Sequence, residues 1–481
     1  MDFADRRRSL VLGVCCLSLL IAGLDTTALN IALPAIQHDL NASVSGLQWT
    51  VDGYTLAVAG FLVFAGSAGD RLGRRRVFQT GLALFTLGSL ACSLAPGLGW
   101  LVGFRVLQGL GASMLNPVAL SILTNTFVDP RERARAIGLW GGTIGLSLAL
   151  GPVVGGLLVA SAGWRSVFWI NLPIGVAAIA LTALFVPESK ALVARRPDPV
   201  GQVLVIAFLV SVVYAIIEGA HAGFGSIPII LLFTAGTLAA AVLVRYERRR
   251  DQPLIDPRFF RSVPFAGATV IAVAAFVTMS GFLFLNTLYL QDVRGYSALR
   301  AGLLTVPMAG AAAIASAVSG RITATRGARG PLVAAGALIA TAAVVLTFVA
   351  PGTPLPLLLA SYVLFGTGFG LVNTPITNTA VAGMPRAEAG VSAAVATTGR
   401  QFGNSLGVAI LGSIVAGKAP GEFLTASHIG WWVLAGCGAL VAILGVATTT
   451  KWAQVSAGRV AERFLASPGP VTGAEAEATT A

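Results

Sequence analysis

The sequence predicts an all-α polytopic membrane protein with fourteen transmembrane helices. Three observations carry that prediction. Hydrophobic residues make up 56% of the 481 residues and charged ones only 11%, where soluble domains carry about 25% charged residues. The apolar residues come in repeated runs of about twenty, each long enough to cross a bilayer; a membrane barrel would show short alternating segments instead. Finally, the basic residues crowd into alternate loops, which is how a multi-pass chain records its topology.

In chain order, the expected spans lie at 10–33, 48–68, 77–95, 98–121, 136–160, 166–186 and 200–220. They continue at 227–245, 264–290, 299–320, 331–350, 355–379, 389–416 and 429–450. Charge, Gly/Pro or a polar turn bounds each one. An even number puts both ends on one side. One set of loops holds Arg6, Arg7 and Arg8, then Arg71, Arg74, Arg75 and Arg76, then Arg131, Arg133 and Arg135, and stays basic to Arg463. The opposite set holds only Arg165, Arg294, Arg300 and Lys418. The positive-inside rule makes the first set, and both termini, cytoplasmic. An arginine-heavy composition rich in Ala and Gly points to a GC-rich bacterial genome, hence the bacterial cytoplasmic (inner) membrane.

Two polar, basic, proline-bearing linkers, 187–199 and 246–263, bracket spans seven and eight. The chain thus divides into six spans (1–186), two extra spans with flanking cytoplasmic linkers (187–263), six spans (264–450) and a disordered cytoplasmic tail (451–481). The two sets of six echo each other: Gly69–Arg76 and Gly320–Gly330 are both short, Gly-punctuated basic loops after a second span. Internal repeats flanking a midplane site are a transporter signature.

Several function classes are excluded. The net charge of +12 sits in short loops, so no nucleic-acid partner is expected. Cys15, Cys16, Cys92 and Cys437 lie in apolar runs and form no disulfide framework. His38, His221 and His428 are isolated, so no metal site is expected. No cleavable signal peptide is apparent. An enzyme would need a zinc motif, a phosphate-binding loop or a catalytic triad, and none is present. A monomer without a cofactor is expected.

The chemistry-bearing residues are few. Asp25, in L-D-T-T-A-L-N-I-A-L-P (Leu24–Pro34), lies inside the first span. A carboxylate there costs about 2.5–3.5 kcal/mol on insertion scales and usually faces an ion or substrate path; the alternative is a structural pair between helices. Arg105, in the fourth span, poses the same problem and shares a helix face with Gln108; it is read as a partner of a nearby carboxylate or a clamp between helices. Asp52, near the outer end of span two, is either a second proton-handling acid or a wetted interfacial residue. Glu218, in an extra helix, is read as structural. Gly66–Phe78 turns tightly and is read as a charged cytoplasmic gate built on Gly69, Asp70, Arg71, Gly73, Arg74 and Arg75, the alternative being a basic loop that only fixes topology. Gly145, Gly151, Pro152, Gly155 and Gly156 bare one strip of span five, which lets a helix approach closely. Asn30, Tyr54, Gln108, Asn286, Tyr289, Asn373, Arg400 and Gln401 are candidates to line a substrate cavity. No acid lies deep in the second half, which speaks against divalent cations as preferred cargo.

These motifs carry a family resemblance. G-S-A-G-D-R-L-G-R-R-R-V-F (Gly66–Phe78) resembles the cytoplasmic signature of the major facilitator superfamily. Leu24–Pro34 resembles the first-span signature of its fourteen-span drug:proton antiporter branch. Arg105–Ser113, Gly145–Gly156 and Trp164–Pro173 are similar to that branch's signatures for spans four to six, and Gly295–Pro307 and Arg400–Gly407 to those of the second half. The resemblance spans nearly the whole chain. It implies two six-helix bundles plus two additional helices, and export of amphipathic, cationic toxic compounds driven by the proton gradient. It further implies that Asp25 carries the proton, that Arg105 takes part in the relay, and that the span-five motif seals the cavity against leak. A dedicated exporter of one antibiotic, or a non-transporting sensor, is the alternative.

Overall fold

In hydrocarbon every backbone polar group must be paired within its own segment, so each apolar run becomes a helix. The computed structural model describes residues 3–191, 198–250, 253–382, 384, 389–418 and 420–466. Among these residues there is no strand. The helices are α1 (Phe3–Asp39), α2 (Val44–Leu72), α3 (Arg74–Ser93), α4 (Leu98–Thr126), α5 (Pro130–Ala162), the single turn α6 (Ser166–Trp169) and α7 (Asn171–Phe185). They continue as α8 (Pro199–Ala222), α9 (Ile227–Glu247), α10 (Val263–Leu288), α11 (Ala298–Arg326), α12 (Arg329–Leu346), α13 (Leu355–Val381), α14 (Ala389–Val415), α15 (Pro420–Ala447) and α16 (Lys451–Ala466). Every expected span coincides with a helix. Among the described residues, twelve segments are long and apolar enough to cross a membrane. The two other rods at expected spans are α3, which opens on three arginines, and α14, which carries Arg400, Gln401 and Asn404.

Local chemistry sets the boundaries. Ser43 caps α2 by accepting from the Gly46 N–H, and Asp129 caps α5 by accepting from Arg131 and Glu132. Gly73 takes φ 115° between α2 and α3, a backbone that L side chains rarely adopt. The expected span at 166–186 is broken at Ile170. Pro173 has no N–H to offer the carbonyl four residues earlier, which ends the short α6 at Trp169 and starts a new helix at Asn171.

The packing repeats itself. In the first half α3 packs on α4, α2 on α4, α1 on α5, and α3 on α7. In the second half α12 packs on α13, α11 on α13, α10 on α14, and α12 on α15, the same pairings in the same order. Two seams join the halves: α5 against α11, and α2 against α14. Each seam pairs the fifth span of one half with the second of the other. At the end away from the termini the two halves are hydrogen-bonded to each other, across the α2–α14 seam and between α1 and the segment just beyond α10. Gln48 Nε2 donates to the Val408 and Ala409 carbonyls (3.1 and 2.7 Å), and Gln291 Nε2 donates to the Ile31 carbonyl (2.9 Å).

α8 covers the α2–α14 seam from outside and α9 packs on α8. Gln202 of α8 donates to the Gly60 carbonyl of α2, and Ser413 of α14 donates to the Ile216 carbonyl of α8. Trp49 Nε1 donates to Glu218 Oε1 at 2.9 Å, which makes Glu218 a tie between α8 and α2.

The expected disordered tail is corrected in its first part: Lys451–Ala466 forms α16. Ala453, Ala457, Val460 and Phe464 recur at helical spacing and give it one apolar face. That face lies under the start of α10, with Phe464 against Phe259 (5.2 Å) and Arg258 stacked over Phe464 (4.3 Å). Residues 467–481 lie outside the described residues.

Candidate functional site

Five helices of the first half meet at Asp25: its own α1, and α2, α3, α4 and α7, which supply the surrounding groups. Asp25 Oδ2 accepts from Arg105 Nη1 of α4 at 2.5 Å. Its Oδ1 accepts from Gln108 Nε2 of α4 (2.8 Å) and Asn171 Nδ2 of α7 (2.9 Å). Arg105 spans the cluster. Its Nη1 also donates to Gln108 Oε1 (2.7 Å), and its Nε donates to the Thr50 carbonyl of α2 (3.1 Å). Ser89 of α3 completes the ring: its hydroxyl accepts from Gln108 and Asn171 and donates to the Phe168 carbonyl. Arg105 lies 4.3 Å from the Tyr54 ring centroid and 5.8 Å from that of Phe168. Asp25 is 1% exposed and Arg105 0%. Both carboxylate oxygens are used and the two charges cancel. A buried pair survives in low dielectric only when its geometry is good and its remaining donors and acceptors are met. Here the amides supply them.

Arg105 and Gln108 thus stand beside Asp25. Tyr54 and Gln108, expected to line a cavity, belong instead to this closed cluster. Asn171 and Ser89 were missed. Asn171 lay in the quoted Trp164–Pro173 motif; Ser89 gave no signal. Asn30 is buried nearby and donates to the Thr26 carbonyl.

Asp52 is fully buried at the α2–α14 seam, beside Ser405 and within reach of the Thr55 hydroxyl (3.4 Å). The reading of Asp52 as a wetted interfacial residue is therefore corrected. Its Oδ2 accepts from no described residue.

The span-five strip serves two contacts at once. A Cβ at Gly151 would overlap Thr27, and one at Gly155 would sit 2.8 Å from Ala28 Cα; both face α1. Gly156 faces α11, where a Cβ would lie 2.6 Å from the Ala298 carbonyl, and the Pro152 carbonyl occupies the space above Gly302. Gly145 looks at Ala313 across the same seam. α5 is therefore squeezed between its own bundle and the other one.

The Gly66–Phe78 stretch, helical except at Gly73, docks on the chain that follows α7. Arg74 donates to Asp70 Oδ1 from Nε (3.1 Å) and Nη2 (2.9 Å). The Glu188 carboxylate accepts the backbone N–H groups of Arg75 and Arg76 at the start of α3 (3.1 and 3.3 Å) and fills the space beside Gly73. Arg75 also reaches the Ala183 carbonyl (2.6 Å) and Gly69 packs on Val118, while Arg71 is exposed. Glu188, assigned only to a linker from the sequence, is the anchor of this loop.

Two cavity candidates are corrected. Asn286 and Tyr289 are buried in the second bundle, where Tyr362 donates to Asn286 and the Tyr289 hydroxyl donates to the Ala350 carbonyl (2.7 Å). Polarity deep in a span is equally satisfied by helix-to-helix bonds. Asn373, Arg400 and Gln401 remain half-buried, and Arg400 bonds across from α14 to α13.

Paired half-bundles, two seams and a charged cluster sealed among the spans define a helical membrane transporter. Residues 15–408 match the Major Facilitator Superfamily. The chain belongs to that family, whose members are transporters, not enzymes. It is 37% identical over 412 residues to the multidrug resistance protein Stp of Mycobacterium tuberculosis, covering 86% of this chain and 76% of that one. It is 36% identical to the tetracenomycin C resistance and export protein of Streptomyces glaucescens, covering 84% and 75%. It is 34% identical to the multidrug efflux pump LfrA of Mycolicibacterium smegmatis, covering 85% and 81%. Among solved structures, the POT family transporter PepTSo superposes with a TM-score of 0.68 at 14% identity, over 95% of this chain and 99% of that one. The xylose transporter XylE from E. coli gives 0.64 at 15%, over 92% and 100%.

Proposed function

We propose that this protein is a proton-coupled exporter of amphipathic toxic small molecules. It works in the bacterial cytoplasmic membrane with fourteen crossings and both termini cytoplasmic. The observation that carries the reading is the Asp25–Arg105 pair, sealed inside one bundle with every carboxylate oxygen bonded. Protonating Asp25 removes the charge that Arg105 faces. The guanidinium, held also to the Thr50 carbonyl of α2, must then find another partner. Since α2 forms one of the two seams, proton arrival is coupled to rearrangement between the bundles. The bundles rock about the axis between them and open it to each side in turn. An inward proton is driven by roughly 2.3 kcal/mol per 100 mV of membrane potential. Drug efflux as the direction and class of transport rests on the relatives named above.

The test uses proteoliposomes under an imposed pH gradient, with fluorescein and rhodamine 123 as probes. Wild type is expected to move at least one dye against its gradient only while the pH gradient lasts, and Asp25→Asn to abolish that movement at matched protein levels. Normal gradient-driven movement by Asp25→Asn, lost instead in Asp52→Asn, would transfer the coupling to the seam acid.

A further inference from the structure

The sequence predicts a cationic cargo, yet a charge inside the second bundle that meets no described carboxylate is positive. Arg400 sits near the middle of α14. Its Nη2 donates to the Thr377 hydroxyl (2.6 Å) and the Asn373 carbonyl (3.2 Å) of α13. Its Nε finds no acceptor and its Nη1 donates to no described residue. Helices α10 to α15 contain one acid, Glu422, at the first turn of α15, and Asp292 lies just beyond α10; both are at the end away from the termini. No described carboxylate pairs with Arg400. The cancellation that Asp25 gives Arg105 in the first bundle has no counterpart here.

The direction of Arg400 follows from what the rest of α14 touches. At 100° per residue, Gly399, Gly403 and Gly407 face α10, and Ser405 and Gly412 face α2. Phe402 and Ser413 face α8 (Phe402 lies 5.6 Å from Phe208). Arg400 and Asn404 occupy the remaining face, opposite α8 and between α10 and α2, which points to the axis between the bundles. The guanidinium lies 5.9 Å from the Phe276 ring centroid, and Phe276 meets Phe369 edge-on at 5.3 Å. Half-buried Gln401 and exposed Thr377 and Asn378 complete the surroundings.

An unpaired arginine at membrane depth is costly, and such groups mark substrate pathways. The planar fork of Arg matches a carboxylate or another delocalised anion, and it stacks on aromatic faces. We infer that Arg400 is an anion-recognition residue of the transport pathway, and that the cargo is an aromatic compound bearing a carboxylate or an ionised phenol. Half-buried Phe276, backed by buried Phe369, receives the aromatic frame and the guanidinium faces the acid. This rests on the exporter reading and gives its cargo a sign of charge.

Fluorescein and rhodamine 123 share a xanthene frame and carry opposite charge. Their binding to purified full-length protein is read by fluorescence anisotropy. Wild type is expected to hold fluorescein at least about tenfold more tightly. Arg400→Gln should lose about tenfold or more of that affinity, the loss of one charge-assisted hydrogen bond, and keep rhodamine 123 unchanged. Arg400→Lys, which retains the charge without the fork, should fall between and shows that a folded variant is being measured. Equal fluorescein binding by wild type and Arg400→Gln overturns the inference, as does a wild-type preference for rhodamine 123 or failure of folded wild type to bind fluorescein. Gradient-driven export is scored separately in proteoliposomes. Fluorescein discrimination without export would sink the exporter reading and leave the anion subsite standing; export with no charge discrimination would sink only the subsite.

Discussion

Asp25 and Arg105 neutralise each other inside a shell of amides, so each is indispensable to the other's burial. Replacing Arg105 alone leaves a buried carboxylate facing Gln108 and Asn171 with no cation. Losing one partner of such a pair costs about 3–5 kcal/mol, whereas replacing both by neutral groups costs much less. Arg105→Gln is therefore expected to lower the thermal unfolding midpoint of the purified protein sharply, and adding Asp25→Asn to restore most of it. Additive losses in that cycle would show that the pair is not the unit of stability. Asn171 gives a finer test. Asn171→Leu removes one donor to Asp25 Oδ1 while Gln108 keeps the other. Gradient-driven dye movement should slow severalfold with the fold intact, read as transport rate at matched protein levels. Asp25 and Arg105 were legible as intramembrane charges because a lone charge in an apolar run is conspicuous. Ser89 was not, since a serine in a span is cheap and common, and only the position of α3 aims it at Gln108 and Asn171.

At the scale of single helices, α5 and the Gly66–Phe78 loop make separable predictions. Gly155 meets α1 in its own bundle and Gly156 meets α11 in the other. Gly155→Val is expected to depress stability, measured as the thermal unfolding midpoint in detergent. Gly156→Val should instead prevent close approach along the α5–α11 seam and abolish transport with little loss of midpoint. The reverse ranking would mean that the two faces of α5 have been exchanged. Glu188→Gln weakens the acceptor at the start of α3, where a negative group also complements the helix end. It should raise proteolysis of the 187–191 segment in inside-out vesicles before it alters the fold. The loop's glycines and charges were legible as a motif, but its docking partner lay over a hundred residues away and needed the end of α7 beside α3. Asn286 and Tyr289 mark the opposite failure. Their polarity drew attention, but helix rotation turns them toward Tyr362 and the Ala350 carbonyl.

At the scale of the whole molecule, two seams related by the internal repeat join the bundles. At one end Gln48 bonds across the α2–α14 seam and Gln291, just beyond α10, bonds to α1, each to backbone carbonyls of the opposite bundle. Each such bond is worth about 0.5–1.5 kcal/mol, enough together to shift a balance between closed and open states by an order of magnitude or more. The pair Gln48→Ala and Gln291→Ala is expected to favour opening at that end. A cysteine placed at Ser405 should then react faster with an impermeant maleimide added from outside intact cells. Unchanged labelling would place the controlling contacts elsewhere.

Hydropathy, charge asymmetry and the ordered motifs by themselves determined the helical class, the positions of the helices, the repeat of six and the placing of Asp25 inside a span. These depend on transfer free energies and local backbone rules, which are properties of short stretches of chain. Only the tertiary structure decided that Asn171 and Ser89 complete the Asp25 cluster, that Asp52 lies in a seam, that Glu188 anchors the basic loop and that residues 451–466 form a docked helix. Those outcomes depend on how each helix is rotated and which neighbour it meets, and a span's apolar composition is nearly the same for every rotation.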